Sequence, residues 1–352
     1  MDLNKFIEKK PFVIAGPCSA ESEKQVHEIA NETKDCADVF RAGIWKPRTN
    51  SESFQGIGKD ALIWLQEVKN KNNIKVSTEV ATAKHVEMCL EFGVDMLWIG
   101  ARTTVNPFYV QEIAEALSGL DIPVFVKNPI HPELSLWIGA FERLNKKGIK
   151  NLAAIHRGFF TYESSAFRND PKWEIPIELK RQIPELPIIC DPSHIAGNNS
   201  LIPEISQIAM DLDMSGLMIE THNNPLQALS DSEQQITPKK LKSILEKLVL
   251  RKKTFKDKLL SLELNSLREK IDIVDEKIIE TLSLRTDLVE EIAKFKLANN
   301  ITIFQLERWF EILYTRKEQA KKLEMDPKMT RDLFELIHKY SILIQTKKMK
   351  QQ

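Results

Sequence analysis

The 352-residue chain is 42% apolar and 28% charged, as soluble globular proteins are, and its 50 Lys and Arg balance its 50 Asp and Glu. A net charge of zero excludes a global field for nucleic acid or an acidic membrane, so any anion site must come from local clustering. Four scattered cysteines (Cys18, Cys36, Cys89, Cys190) form no CxxC pair, which fits a reducing compartment and argues against a disulfide scaffold. The N-terminal MDLNKFIEKK lacks the apolar core of a signal peptide and no long apolar run appears after it, so a cytoplasmic protein is expected.

From Phe12 to about Leu250, short apolar runs alternate with helical stretches. The runs are Phe12 to Cys18, Val39 to Gly43, Lys75 to Val80, Met96 to Ala101, Pro123 to Asn128, Leu152 to Gly158, Pro187 to His194 and Gly216 to His222. Near-continuous apolar runs separated by helices indicate parallel strands buried on both faces. Eight such units in about 240 residues predict an α/β fold, a (β/α)8 barrel. A doubly wound open sheet is the alternative, but no Gly-rich dinucleotide fingerprint comes after the first run.

The segment FRAGIWKPRTN, from Phe40 to Asn50, sets Arg41, Lys46 and Arg48 beside the hydroxyl of Thr49. Pro47 stiffens the loop, and three cations with a hydroxyl suit a dianion. For the segment taken alone, a solvated basic loop is the lesser alternative. Yet Cys18, Glu79, Arg102, Lys127, Arg157, His194 and Glu220 also fall at or just past the ends of runs, the rim on which this barrel builds active sites. Cys18, His194, Glu220 and Asp231 offer a thiolate, an imidazole and two carboxylates, a borderline set that suits one divalent metal ion: Mn, Fe, Co or Zn. A buried thiol and a turn-capping carboxylate are the structural alternatives.

After Leu250 the pattern changes. Residues 1–250 are assigned to the barrel, 251–263 to a charged linker and 264–352 to an all-helical domain. Apolar residues at Leu264, Leu267, Ile271, Val274, Ile278, Leu282, Leu288, Ile292 and Phe295 predict one amphipathic helix. Its length, about 40 residues or roughly 60 Å, exceeds a lone small bundle and points to a homodimer whose helices cross two subunits. Asn299-Asn300 ends it, and helices of about Gln305 to Leu323 and Lys328 to Thr346 come next. Arg285 and Lys296 lie about 20° apart on the long helix, Arg268 on another face where only a partner's copy could join them. Arg285 also interrupts the apolar stripe, so it is expected to be partly buried and to need an anion. A charged coiled-coil surface is the alternative.

The first 250 residues resemble the type I 3-deoxy-D-arabino-heptulosonate 7-phosphate (DAHP) synthases of the short, β-like group. The matching motifs are AGPCSAES, FRAGIWKPRT, STEV, IGARTTVNPF, VKNP, HRGF, DPSHIAG, IETHNNP and ALSDSEQ; KPRT argues against the related octulosonate 8-phosphate synthases. Residues from about Ser266 to Gln345 resemble the all-helical chorismate mutases, through LREKID, LRTDLVEEIAKFK and SILIQ. The resemblance implies a bifunctional shikimate-pathway enzyme. One part would condense phosphoenolpyruvate with erythrose 4-phosphate; the other would rearrange chorismate to prephenate. Prephenate or chorismate held by a dimeric, three-helix mutase domain would restrain the barrel.

The resemblance implies metal ligation by Cys18, His194, Glu220 and Asp231. It gives phosphoenolpyruvate to Arg41, Lys46, Arg102, Lys127 and Arg157, with Asp191 in the same site, and the erythrose 4-phosphate phosphate to Arg48 and Thr49. Lys46 would supply a proton and Glu79 would orient water. In the mutase part Arg268, Arg285, Lys296, Arg308, Ser341 and Gln345 match substrate contacts, with Lys296 and Gln345 at the ether oxygen. Trp309 departs from the pattern: the better-known members of that family have a glutamate after the arginine. The departure leaves a second reading, a DAHP synthase with a non-catalytic helical sensor or dimerisation domain. A third makes the barrel another metal-dependent aldolase.

Overall fold

The computed structural model describes residues 7, 11–46, 52–162, 165–252 and 258–350. Two compact units, Met1–Lys253 and Thr254–Gln352, make up the chain.

The first unit is a closed barrel of eight parallel strands: β1 Phe12–Gly16, β2 Val39–Arg41, β3 Lys75–Val80, β4 Met96–Ile99, β5 Val124–Lys127, β6 Leu152–His156, β7 Ile188–Cys190 and β8 Gly216–Glu220. Pairing of β1 with β8, from Phe12 opposite Gly216 to Gly16 opposite Glu220, closes it. Gly216 is required there, because an added Cβ would run into the Phe12 carbonyl. The helices are α1 Glu23–Thr33, α2 Lys59–Asn72, α3 Ala83–Glu91, α4 Ala101–Thr104, α5 Pro107–Ala116, α6 Leu134–Lys146, α7 Glu174–Gln182, α8 Pro192–Ala196, α9 Ile202–Asp211 and α10 Pro238–Lys247.

Alternation along the strands divides the core in two. Val13, Val76, Leu97, Val126 and Leu217 pack outward with helical residues, whereas Phe12, Ile14, Met96, Trp98, Phe125, Ile155 and Met218 fill the barrel interior. The predicted run 187–194 is strand only to Cys190. Asp191 then caps α8: its side chain accepts the His194 backbone N–H and Pro192 occupies the first turn, which ends the strand and turns His194 over the barrel mouth.

The second unit has three helices, α11 Lys258–Ala298, α12 Leu306–Lys322 and α13 Pro327–Met349. Helix α11 begins at Lys258, inside the stretch assigned to the linker, because 258–263 (KLLSLE) consists mainly of good helix formers continuous with the rest of the helix. Arg285 of α11 bonds Ser341 of α13, and Glu290 pairs with Lys348, so the two helices run in the same direction. Only Val289, Ala293 and Lys296 of α11 are buried. Leu267, Ile271, Val274, Ile278, Leu282, Leu288, Ile292 and Phe295 are between 39% and 65% exposed, so the stripe is not a monomer core. No helix among the described residues is long and apolar enough to cross a membrane.

Candidate active sites

Three strand ends of the barrel, those of β1, β7 and β8, supply one cluster. Cys18 lies two residues beyond β1, Glu220 is the last residue of β8, Asp231 comes after β8, and α8 carries His194. The ligand atoms of Cys18, Glu220 and Asp231 lie within 4.8 Å of one another. His194 stands beside them, its Nε2 3.9 Å from Glu220 Oε1. Its Nδ1 lies 2.8 Å from Asp191 Oδ2, a carboxylate–imidazole arrangement that aims the opposite ring nitrogen at the cluster. Glu220 is fully buried and its Oε1 accepts no hydrogen bond, although Arg41 Nη1 is 3.4 Å away. A soft thiol, an imidazole, two carboxylates and one orphaned buried oxygen fit a divalent cation.

Next to the cluster is a cavity of about 90 Å³ lined by Lys46, Glu79, Ala101, Arg102, Lys127, Arg157, Arg168, His194 and Asp231. A larger cavity of 480 Å³ opens near the N-terminal ends of β6 and β7, lined by Ile138, Phe141, Leu152, Leu186 and their neighbours; it brings no comparable set of cations together. The small cavity carries the chemistry. Lys46 Nζ donates to the Cys18 carbonyl at 3.1 Å and approaches its sulfur at 3.0 Å. Lys127 Nζ donates to Asp191 Oδ2 at 2.9 Å, and Arg157 Nη1 to Asn169 Oδ1 at 2.6 Å. Arg168 Nη1 donates to Asp231 Oδ1 at 2.9 Å and Gln234 Oε1 at 2.7 Å; Gln234 in turn donates to Glu220 Oε2 at 2.6 Å.

The electrostatics reflect this crowding. Burial, then the Glu220 carboxylate, pushes the Cys18 thiol up to about 12. Burial alone would lower Lys46, but the neighbouring Cys18, Glu220 and Glu79 outweigh it and raise it, so the ammonium keeps its proton. Burial brings Arg157 down to about 10. Burial would raise Asp191, yet His194 and Lys127 hold it well below the usual carboxylate range. Asp191 is fully buried and touches Lys127 and His194, so its geometry is that of a group that orients other side chains. Arg48 and Thr49 lie outside the described residues.

In the helical unit Arg285 Nη1 donates to Ser341 Oγ at 2.7 Å, Lys296 Nζ to the Ile303 carbonyl at 2.6 Å, and Gln345 Nε2 to the Ser341 carbonyl at 3.3 Å. Gln345 Oε1 is buried without a hydrogen-bond partner. Arg308 is exposed and pairs with Glu311 in its own helix. Arg268 is exposed and bonds only Asn265 among the described residues; 17 residues before Arg285 on one helix, it stands roughly 25 Å away. Trp309 stacks on His338 at 3.9 Å. Sequence reasoning did not single out Arg168, Gln234, Trp98 or His338. Arg168 sits in the polar stretch FRND after β6, a weak signal; the others join the sites only through tertiary packing.

An eight-stranded α/β barrel with a thiol–imidazole–carboxylate cluster beside a dense cationic pocket, joined to a cation-bearing helical unit, defines an enzyme class that handles anionic substrates. The chain belongs to the DAHP synthetase I family, which it matches over residues 7–256, and residues 267–346 match the type II chorismate mutases. It is 29% identical over 237 residues to phospho-2-dehydro-3-deoxyheptonate aldolase of Thermotoga maritima, covering 67% of this chain and 68% of that one. It is 25% identical to 2-dehydro-3-deoxyphosphooctonate aldolase of Paracidovorax citrulli, covering 68% and 89%. The Thermotoga DAHP synthase crystal structure superposes with a TM-score of 0.61 at 29% identity over 67% of each chain. A truncated form of 3-deoxy-D-arabino-heptulosonate 7-phosphate synthase from that organism gives 0.59 at 26%, over 67% of this chain and 84% of that one. The two domains make the chain a bifunctional shikimate-pathway enzyme with DAHP synthase and chorismate mutase activities, taking phosphoenolpyruvate, erythrose 4-phosphate and chorismate. Its synthase family generally uses a divalent metal.

Proposed function

We propose that Cys18, His194, Glu220 and Asp231 hold one divalent ion, Mn, Fe, Co or Zn, and that condensation depends on it. The observation that carries this reading is the soft–hard donor cluster around the orphaned Glu220 Oε1, on the wall of a pocket lined by five cations. When bound, the ion supplies Lewis acidity toward the aldehyde oxygen of erythrose 4-phosphate.

The chain's own residues do the rest. Arg41, Lys46, Arg102, Lys127 and Arg157, steadied by Asp191, offset the Coulomb cost of gathering two polyanions in a partly dry pocket. Arg48 and Thr49 take the remote phosphate. The enol carbon of phosphoenolpyruvate bonds the aldehyde carbon, and the protonated Lys46 delivers a proton to the developing alkoxide. Glu79 orients the water that adds to the cationic centre before inorganic phosphate leaves.

The helical unit works by positioning. Arg285, Arg308 and the partner's Arg268 clamp the two carboxylates of chorismate in a compact conformer, Ser341 lines the site, and Lys296 and Gln345 meet the ether oxygen as charge develops. This requires a homodimer, because one subunit's Arg268 stands roughly 25 Å along the helix from its own Arg285. The two reactions are not consecutive, so feedback explains the fusion better than channelling: prephenate bound to the helical unit lowers the barrel's rate. A chelator should abolish condensation while leaving chorismate turnover intact, with Cys18→Ser weakening metal affinity because a hydroxyl replaces a thiolate. Full condensation by metal-free protein would refute the metal assignment.

A further inference from the structure

Trp98 is the residue on which the cationic pocket rests. It lies in β4, in register with Glu79 of β3 and Phe125 of β5, and its side chain belongs to the barrel interior, 1% exposed. The Arg41 guanidinium stands 4.8 Å from the centre of its ring and the Lys127 ammonium 5.9 Å. Its indole Nε1–H donates to Glu79 Oε2 at 3.0 Å. Arg41 is 1% exposed, yet its Nε and Nη1 have no hydrogen-bond partner. Its Nη2 donates to the Cys18 carbonyl at 3.2 Å and Glu220 Oε1 lies 3.4 Å from Nη1; the aromatic face adds to these, and a cation–ring contact strengthens where water is excluded. Gly100, two residues on, leaves the space for Glu79, since a Cβ there would collide with the carboxylate.

We propose that Trp98 is a positioning residue of the condensation site, its ring fixing Arg41 and Lys127 and its N–H fixing Glu79 before substrate arrives. This rests on the proposed assignment of Arg41 and Lys127 to phosphoenolpyruvate. The ring serves groups from β2, β3 and β5 at once, which no polar side chain could do from the centre of the barrel. Glu220 stands 3.4 Å from Arg41 and Asp191 2.9 Å from Lys127; to these the ring adds a contact on both cations that brings no further negative charge to compete with the substrate's own.

The test uses the full chain loaded with Mn²⁺. Trp98→Leu removes ring and donor; Trp98→Phe keeps a ring and removes the donor. We expect Trp98→Leu to raise the KM for phosphoenolpyruvate about tenfold or more while the KM for erythrose 4-phosphate stays within about twofold. Trp98→Phe should hold the phosphoenolpyruvate KM within about threefold and lower kcat, because Glu79 is released. Combined with Lys127→Met, Trp98→Leu should cost less than the two single effects multiplied, since it acts through that lysine. A Trp98→Leu chain with wild-type phosphoenolpyruvate KM, or one in which both KM values rise by the same factor, overturns the proposal. Should Trp98→Leu not fold, Trp98→Phe with unchanged kcat overturns it. Lys127→Met separates the two readings: an unaltered phosphoenolpyruvate KM there refutes the pocket assignment, whereas a defective Lys127→Met beside a normal Trp98→Leu refutes only the role of Trp98.

Discussion

His156 ends β6 fully buried, with the rings of Trp173 and Phe159 at 5.1 and 5.8 Å. Burial, then the neighbouring Arg157, pushes it from its ordinary 6.5 down to about 3. The folded chain therefore keeps it neutral where the unfolded chain protonates it. Stability from this residue is fully present above pH 6.5 and is lost as pH falls toward 3, at about 1.4 kcal/mol per pH unit. We expect His156→Phe to flatten the decline in unfolding free energy between pH 6 and 4, measured by urea titration; an equal slope in both chains would refute this. Chemistry-bearing residues at strand ends were legible because a thiol, an imidazole and an acid are rare in such company: Cys18, His194 and Glu220 converge as their positions suggested. His156 was not, since a histidine inside an apolar run reads the same whether it is a core residue or a ligand. Trp98, inside the apolar run Met96 to Ala101, likewise carries nothing in the sequence that sets it apart from barrel filling.

At the level of elements, Lys75–Val80 was read to the residue because β-branched residues and flanking turns agree. The run through Pro187 to His194 was overextended because a capping aspartate before Pro192 ends a strand without breaking its apolar pattern. Helix α11 was legible in length and in its apolar stripe, but not in which face the monomer would bury. Eight apolar side chains of its stripe stand exposed, at roughly 25 cal/mol per Å² of area that water would release on covering. A second copy of the helix is the occupant its self-complementary stripe suits, and it would bring Arg268 to the partner's Arg285. Ile271→Glu with Ile278→Glu should therefore convert a dimer to monomers in sedimentation at micromolar concentration. Chorismate turnover should fall at least about a hundredfold, with condensation largely kept. A dimer that survived both charges, still turning over chorismate, would place the interface elsewhere.

For the whole molecule, the proposed feedback requires a route by which a ligand of the helical unit would reach the barrel's rate. The chain leaves the barrel under restraint. Val249 exchanges hydrogen bonds with the Gln207 side chain at 2.9 and 3.0 Å, and Arg251 Nε pairs with Asp211 Oδ1 at 2.8 Å. Gln207 and Asp211 belong to α9, the helix between the strand that leads to His194 and the strand that ends in Glu220. The tether is thus rooted on the element that spaces two of the proposed metal ligands, unlike a Gly/Ser linker, which would transmit nothing. A ligand shifts an equilibrium only by its differential affinity for two arrangements, typically about 1–3 kcal/mol, or a 5- to 150-fold change. In the helical unit burial, then Arg316, lowers Arg285, a cation with no acid beside it among the ion pairs of the described residues, so a dianion there removes a real electrostatic cost. We expect prephenate to slow condensation by the full chain, and to do nothing to Arg285→Ala or to a chain ending at Lys253. Reciprocity requires phosphoenolpyruvate with Mn²⁺ to weaken prephenate binding by the same factor, measured by calorimetry on the full chain. Inhibition that persisted in the truncated chain would put the effector in the barrel; full-chain inhibition without the reciprocal change in prephenate affinity would make the effect kinetic rather than a shift between two arrangements.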